Sequence, residues 1–98
     1  MDKRTTKRIK THQLARIDGK LCVVKNISNN GLQVASSVLP VSRKIDISLE
    51  LNGEEMTIKG IVQWFRRKSS LQDLHELGVK VKDAPLEYQH FVAKLATN

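Results

Sequence analysis

From Lys44 to Leu51 the chain alternates without a break: Ile45, Ile47, Leu49 and Leu51 are apolar, and Lys44, Asp46, Ser48 and Glu50 are polar. Successive side chains of a strand point to opposite faces, so this period of two means one face in a core and the other in water. Asn52-Gly53 follows at once. That pair takes positive φ at little steric cost and is a strong signal for a two-residue hairpin turn. The return strand is expected from Glu55 to Phe65, with Met56, Ile58, Val62 and Trp64 sharing one face. Gly60 between them is expected to mark a bend or bulge.

The rest of the chain repeats this theme in shorter pieces. Asp18-Gly19 is a second hairpin signal, joining a weakly patterned strand around Gln13 to Ile17 to a Val-rich one from Leu21 to Ile27. Gly31 is expected to turn the chain into a third strand carrying Leu32 and Val34, which a loop through Ser36, Ser37 and Pro40 follows. Arg66 to His75 reads as a basic loop, and Leu77, Val79 and Val81 as a last alternating strand that Gly78 allows to bend. Asp83-Ala84-Pro85 then opens a helix, with Asp83 as the expected N-cap and Pro tolerated in the first turn. Tyr88, Phe91, Val92 and Leu95 fall at i, i+3, i+4 and i+7, an apolar stripe suited to packing on the sheet or over a barrel mouth.

Six short antiparallel strands without intervening helices close most economically into a small barrel, because closure removes edges that would pair with other chains. The expected fold is all-β, a six-stranded antiparallel split β-barrel with a C-terminal α-helix. At 98 residues it is one domain, with residues 1–10 as a flexible basic segment and 11–98 as the barrel and helix. Apolar residues at 40% and charged ones at 28% exclude a disordered chain. No apolar run approaches the length of a bilayer span and no hydrophobic stretch follows the N-terminal charges, so no membrane insertion and a cytoplasmic location are expected. Cys22, the lone cysteine, lies in a β-like run and reads as a buried structural thiol.

A formal charge of +7 calls for an anionic partner. Residues 1–20 hold seven cations against Asp2 and Asp18, and so carry most of it. Within them Arg4 and Arg8 are four apart, a spacing that lets two guanidinium groups converge on one ligand. Arginine suits phosphate and guanine alike, since its planar fork bonds either in pairs and its face stacks on rings. The second polar constellation is Asn26-Ile27-Ser28-Asn29-Asn30-Gly31. Asn and Ser supply donors and acceptors there, and Gly lets a ligand approach the main chain; the structural alternative is a strand ending in a turn.

Arg4-Thr5-Thr6-Lys7-Arg8 matches RxxxR, and Asn26 to Gly31 matches [D/N]xSxxG. In that order, followed by a strand hairpin, a Gly-bearing strand with an aromatic, an "LGVKV" strand and a C-terminal helix, they give a chain that resembles the PilZ domain over nearly its whole length. The resemblance implies a six-stranded antiparallel barrel that binds the bacterial second messenger cyclic di-GMP. It implies that Arg4 and Arg8 grip phosphate and guanine, and that Asn26, Ser28 and Gly31 present polar groups from the barrel surface. Lys3, Asn30 and Trp64 are further candidates. Trp64 has two readings, a guanine stack or a place in the core, and its alternation with Val62 favours the core. No cofactor is implied beyond the ligand itself, and an unidentified downstream protein is the expected partner. The charged N-terminal segment is expected to order across the barrel when ligand binds.

Two other binding classes compete with this reading. A nucleic-acid-binding barrel would also be basic, but it stacks bases on several exposed aromatics, and four aromatic residues in all are few for that. A PilZ-like module that docks a protein and ignores nucleotide would not need the two arginines. An enzyme is not expected: His12, His75 and His90 fall in different elements without metal-ligand spacing, and no nucleophile or paired-carboxylate pattern stands out.

Overall fold

The computed structural model describes residues 8–51, 54–67 and 74–97. They form β1 (Ile9–Ile17), β2 (Lys20–Ile27), β3 (Gly31–Ser36), β4 (Lys44–Leu51), β5 (Glu54–Arg66), β6 (His75–Lys82) and α1 (Leu86–Thr97). The strands close into one barrel in the order β1-β2-β3-β6-β5-β4, with every neighbouring pair antiparallel.

The alternation in β4 does what its pattern demands. Ile45, Ile47 and Leu49 turn into the barrel, where Ile47 and Leu49 lose all contact with solvent. Leu51 pairs with Glu54 across the position of the expected turn, whose residues Asn52 and Gly53 lie outside those described. The first hairpin has its turn at Asp18 and Gly19, with φ of 50° and 87°. Asp18 also ties that tip to β4: its amide donates to the Asp46 carbonyl at 2.9 Å, and its Oδ1 accepts from the Asp46 amide at 3.1 Å. Closure of β1 on β4 runs from there through Ile17↔Ile47 to Ala15↔Leu49.

Cys22 sits in the core, where burial pushes its thiol up to about 11, so the neutral, unreactive form persists. Tyr88, Phe91 and Val92 of the helix are buried against the same core, as the stripe in the sequence requires. Among the described residues no helix is long and apolar enough to cross a membrane.

Three expectations need correction. β1 starts at Ile9 rather than near Gln13, because half-buried Ile9 pairs with Ile27 and packs on the core. Burial alternates along the whole strand, but Thr11 and Gln13 hold half-buried inward positions and outward Leu14 is 57% exposed, which is why the apolar pattern is weak there. The irregularity in β5 lies between Val62 and Trp64, whereas Gly60 pairs regularly with Ile45 and Val81. Finally, Asp83 does not cap α1. It takes a left-handed turn at φ 51°, and the Pro85 carbonyl receives the first helical bonds, from the Tyr88 amide at 3.0 Å and the Gln89 amide at 3.1 Å.

Candidate functional site

The corner between β2 and β3 is organised by a serine. The Ser28 hydroxyl accepts from the amides of Asn30 at 3.3 Å and Gly31 at 3.2 Å, while its own amide donates to the Gly31 carbonyl at 2.9 Å. A short hydroxyl that satisfies backbone within its own turn gives a tight, defined loop. Ser28 is only 4% exposed. Tyr88, fully buried, donates its hydroxyl to the Ser28 carbonyl at 2.6 Å, and burial raises its pKa so that it remains a donor. The Asn30 carbonyl accepts from the Val81 amide at 2.8 Å, which fastens the loop to β6.

Gly31 is needed here for a reason other than the one its sequence context suggests. It is absent from the residues with positive φ; instead, a Cβ would lie 2.6 Å from the Val79 carbonyl oxygen. β3 approaches β6 too closely for any side chain at this point.

Cross-strand pairing aligns a row of outward residues on the barrel wall: Lys10 on β1, Asn26 on β2, Gln33 on β3, Gly78 on β6 and Trp64 on β5. Residues directly opposite in a sheet share a face, so these five adjoin in that order. Arg8, just before β1, donates from Nη1 to Asn26 Oδ1 at 2.7 Å, and Asn26 Nδ2 donates to Gln33 Oε1 at 2.7 Å. At the other end of the row the indole of Trp64 lies over Gly78, filling the space a Cβ would need. Trp64 is 43% exposed, so the core reading suggested by its alternation with Val62 is wrong. The extra residue at Gln63 shifts the register and turns the ring outward.

A cleft of about 320 Å³ opens over this wall. Arg8, Ser28, Gly31, Trp64, Gly78 and Lys80 border it, with Asn30 at its edge. Asn26 stands just beside the lining and acts on the cleft through Arg8. Among the described residues neither Arg8 nor Lys80 has a carboxylate partner; the ion pairs on the wall, Lys59–Asp46 and Arg66–Glu76, are both 3.5 Å apart and lie elsewhere. Two uncompensated cations beside a polar corner and a half-exposed indole suit an anion that carries a flat ring.

The structure thus brings together Arg8, Asn26, Ser28, Asn30, Gly31 and Trp64. Arg4 and Lys3 lie outside the described residues. Sequence reasoning missed Gln33, Gly78 and Lys80, although Gln33 and Lys80 occupy outward positions between buried residues of β3 and β6 and were in principle legible there. Tyr88 was assigned to the core alone, and nothing in the helical stripe signals its bond to Ser28. A larger cavity, about 830 Å³, separates α1 from β5 and is bordered by Glu55, Met56, Glu87, His90, Phe91 and Lys94, none of them a motif residue. No group of three or more His, Cys, Asp or Glu that could hold a metal ion occurs among the described residues.

No protein-family model matches the chain, and no curated protein does. Among solved structures it is similar to the Bacillus subtilis inhibitor of motility, MotI/DgrA, with a TM-score of 0.75 over 96% of this chain at 12% sequence identity. The chain spans 49% of that protein's length. At this identity the likeness carries the fold alone, a six-stranded antiparallel barrel with a C-terminal helix.

Proposed function

We propose that the chain is a receptor for cyclic di-GMP. The observation that carries this reading is the meeting of the two motifs: Arg8, the second arginine of RxxxR, bonds Asn26, the first residue of NxSxxG, at 2.7 Å across 18 residues of chain. Motif matches that arose by chance would have no reason to converge on one cleft. In this reading Arg4 and Arg8 take the phosphates and the guanine edges, with Lys3 in support. Asn26 orients Arg8, Ser28 shapes the loop, Gly31 leaves the cleft open by having no side chain, and Asn30 offers the ligand its side-chain amide. Trp64 stacks on a guanine and Lys80 adds charge. The ligand is the only small molecule required.

Binding draws the segment bearing Arg4 against the barrel and orders it, and a downstream protein reads that state. Calorimetry with cyclic di-GMP, set beside GMP and cyclic di-AMP, tests the reading. Saturable heat with the first compound, well beyond that with the other two, is expected; absence of heat at high concentration would end it. Amide signals of residues 2–10 followed by NMR during the same titration check the ordering. Unchanged mobility of these amides at saturation removes that step while leaving the receptor intact.

A further inference from the structure

We infer that Gln33 is a specificity-determining residue of this site, one that selects a purine carrying an acceptor at position 6. The inference rests on the receptor reading above and adds to it a residue outside both motifs.

The argument is one of hydrogen-bond direction. A guanidinium group can only donate, so the 2.7 Å contact from Arg8 Nη1 obliges Asn26 to turn its Oδ1 outward to meet it. The Asn26 amide nitrogen must then face β3, where it donates to Gln33 Oε1 at 2.7 Å. This in turn orients the second amide: with Oε1 turned toward Asn26 on β2, the Nε2 donor of Gln33 faces away from β2, and no partner for it occurs among the described residues. The direction of one positive charge is thereby passed along two side chains to a third position on the wall.

That position is next to the ring platform. Gln33 pairs with Gly78, and Gly78 is the residue on which the Trp64 indole rests. Gln33 does not itself border the cleft, but its pairing with Gly78 sets it beside the cleft floor, on the side where the edge of a base stacked on Trp64 would come. The other amides at the cleft, Asn30 and Gln63, are exposed, and among the described residues neither side chain has a hydrogen bond that would fix its direction. They can rotate to present either atom. Gln33 is held with its oxygen toward β2, so the atom it turns to the Trp64 side is the Nε2 donor, which rewards an oxygen at position 6, as in guanine, and gives no acceptor to an amino group there, as in adenine.

The single tryptophan of the chain makes the test direct, because its fluorescence reports a base beside Trp64. Affinities for cyclic di-GMP and cyclic di-AMP are measured for the native chain, for Gln33→Glu and for Gln33→Leu, with thermal unfolding confirming that each is folded. The glutamate still accepts from Asn26 but has no donor, and its charge repels both dianions equally, so the ratio of the two affinities isolates the donor. We expect the preference for cyclic di-GMP to fall about ten-fold or more in both variants, on the scale of one base-edge contact. An unchanged ratio in folded variants overturns the role of Gln33 and leaves the receptor standing, as would equal native affinity for the two compounds. A native chain that binds neither removes the receptor reading and this inference together.

Discussion

Ser28 and Arg8 border the same cleft, yet Ser28 is 4% exposed with its hydroxyl engaged by two amides, whereas Arg8 is exposed and, among the described residues, bonds Asn26 alone. One side of the site is built into the fold, tied to the helix by Tyr88 and to β6 by Asn30. The other is a long side chain at the start of a strand. A preformed wall costs little further order when ligand arrives, while an exposed arginine side chain such as that of Arg8 must give up rotamer freedom. The difference predicts that changes at the corner act on folding first, and changes at the arginine act on binding alone.

The sharpest way to break this contrast is Gly31→Val. A side chain there meets the Val79 carbonyl, which is backbone and cannot swing aside, so β3 and β6 must separate. A loss of about 3 kcal/mol in unfolding free energy is expected from denaturant titration, at the upper end for overpacking. A variant of native stability would mean the corner is soft, and the claim of a preformed wall would fail.

Arg8→Ala should do the reverse. Binding of cyclic di-GMP should weaken by about 2 kcal/mol, in the range for charge-assisted hydrogen bonds, as read by calorimetry. An unchanged titration would take Arg8 out of the site.

These two residues also mark what the sequence could and could not convey. Strand order and the barrel were legible because β4 alternates perfectly and because turn pairs such as Asp18-Gly19 need particular backbone angles that few residues supply. Trp64 was misjudged because a period-of-two reading assumes an unbroken register, and one extra residue after Val62 inverts every face beyond it. The need for Gly31 was right and its cause was not: a close approach between β3 and β6 is a tertiary fact that local sequence does not encode. The motif residues could be picked out singly, but the link from Arg8 through Asn26 to Gln33 depends on the pairing of β2 with β3.

Tyr88→Phe sharpens the comparison from within the wall. It deletes a buried 2.6 Å bond and leaves the Ser28 carbonyl without that donor, while the ring and its packing remain. About 1 kcal/mol of stability should be lost, the usual net value of such a bond. Binding should weaken by less than in Arg8→Ala, since the loop keeps the Ser28 contacts to Asn30 and Gly31. A binding loss as large as that of the arginine variant would show that the corner owes its shape to the helix rather than to its own serine.

The smallest effect bears most directly on the contrast. Without ligand, Arg8→Ala should change the unfolding free energy by no more than about 0.5 kcal/mol, as for an exposed side chain away from the core. Arg8 has no carboxylate partner among the described residues, and its bond to Asn26 is neutral at the acceptor and open to water. Removing it frees Asn26 Oδ1 to bond water, so no buried group is left unsatisfied. Beside a net charge of +7, deleting one cation should even relieve a little self-repulsion. Should the variant instead lose more than about 1 kcal/mol, beyond what an exposed group of this kind supports, then Arg8 is already part of the folded corner. The site would then be preformed on the Arg8 side as well, and the contrast with Ser28 would fail.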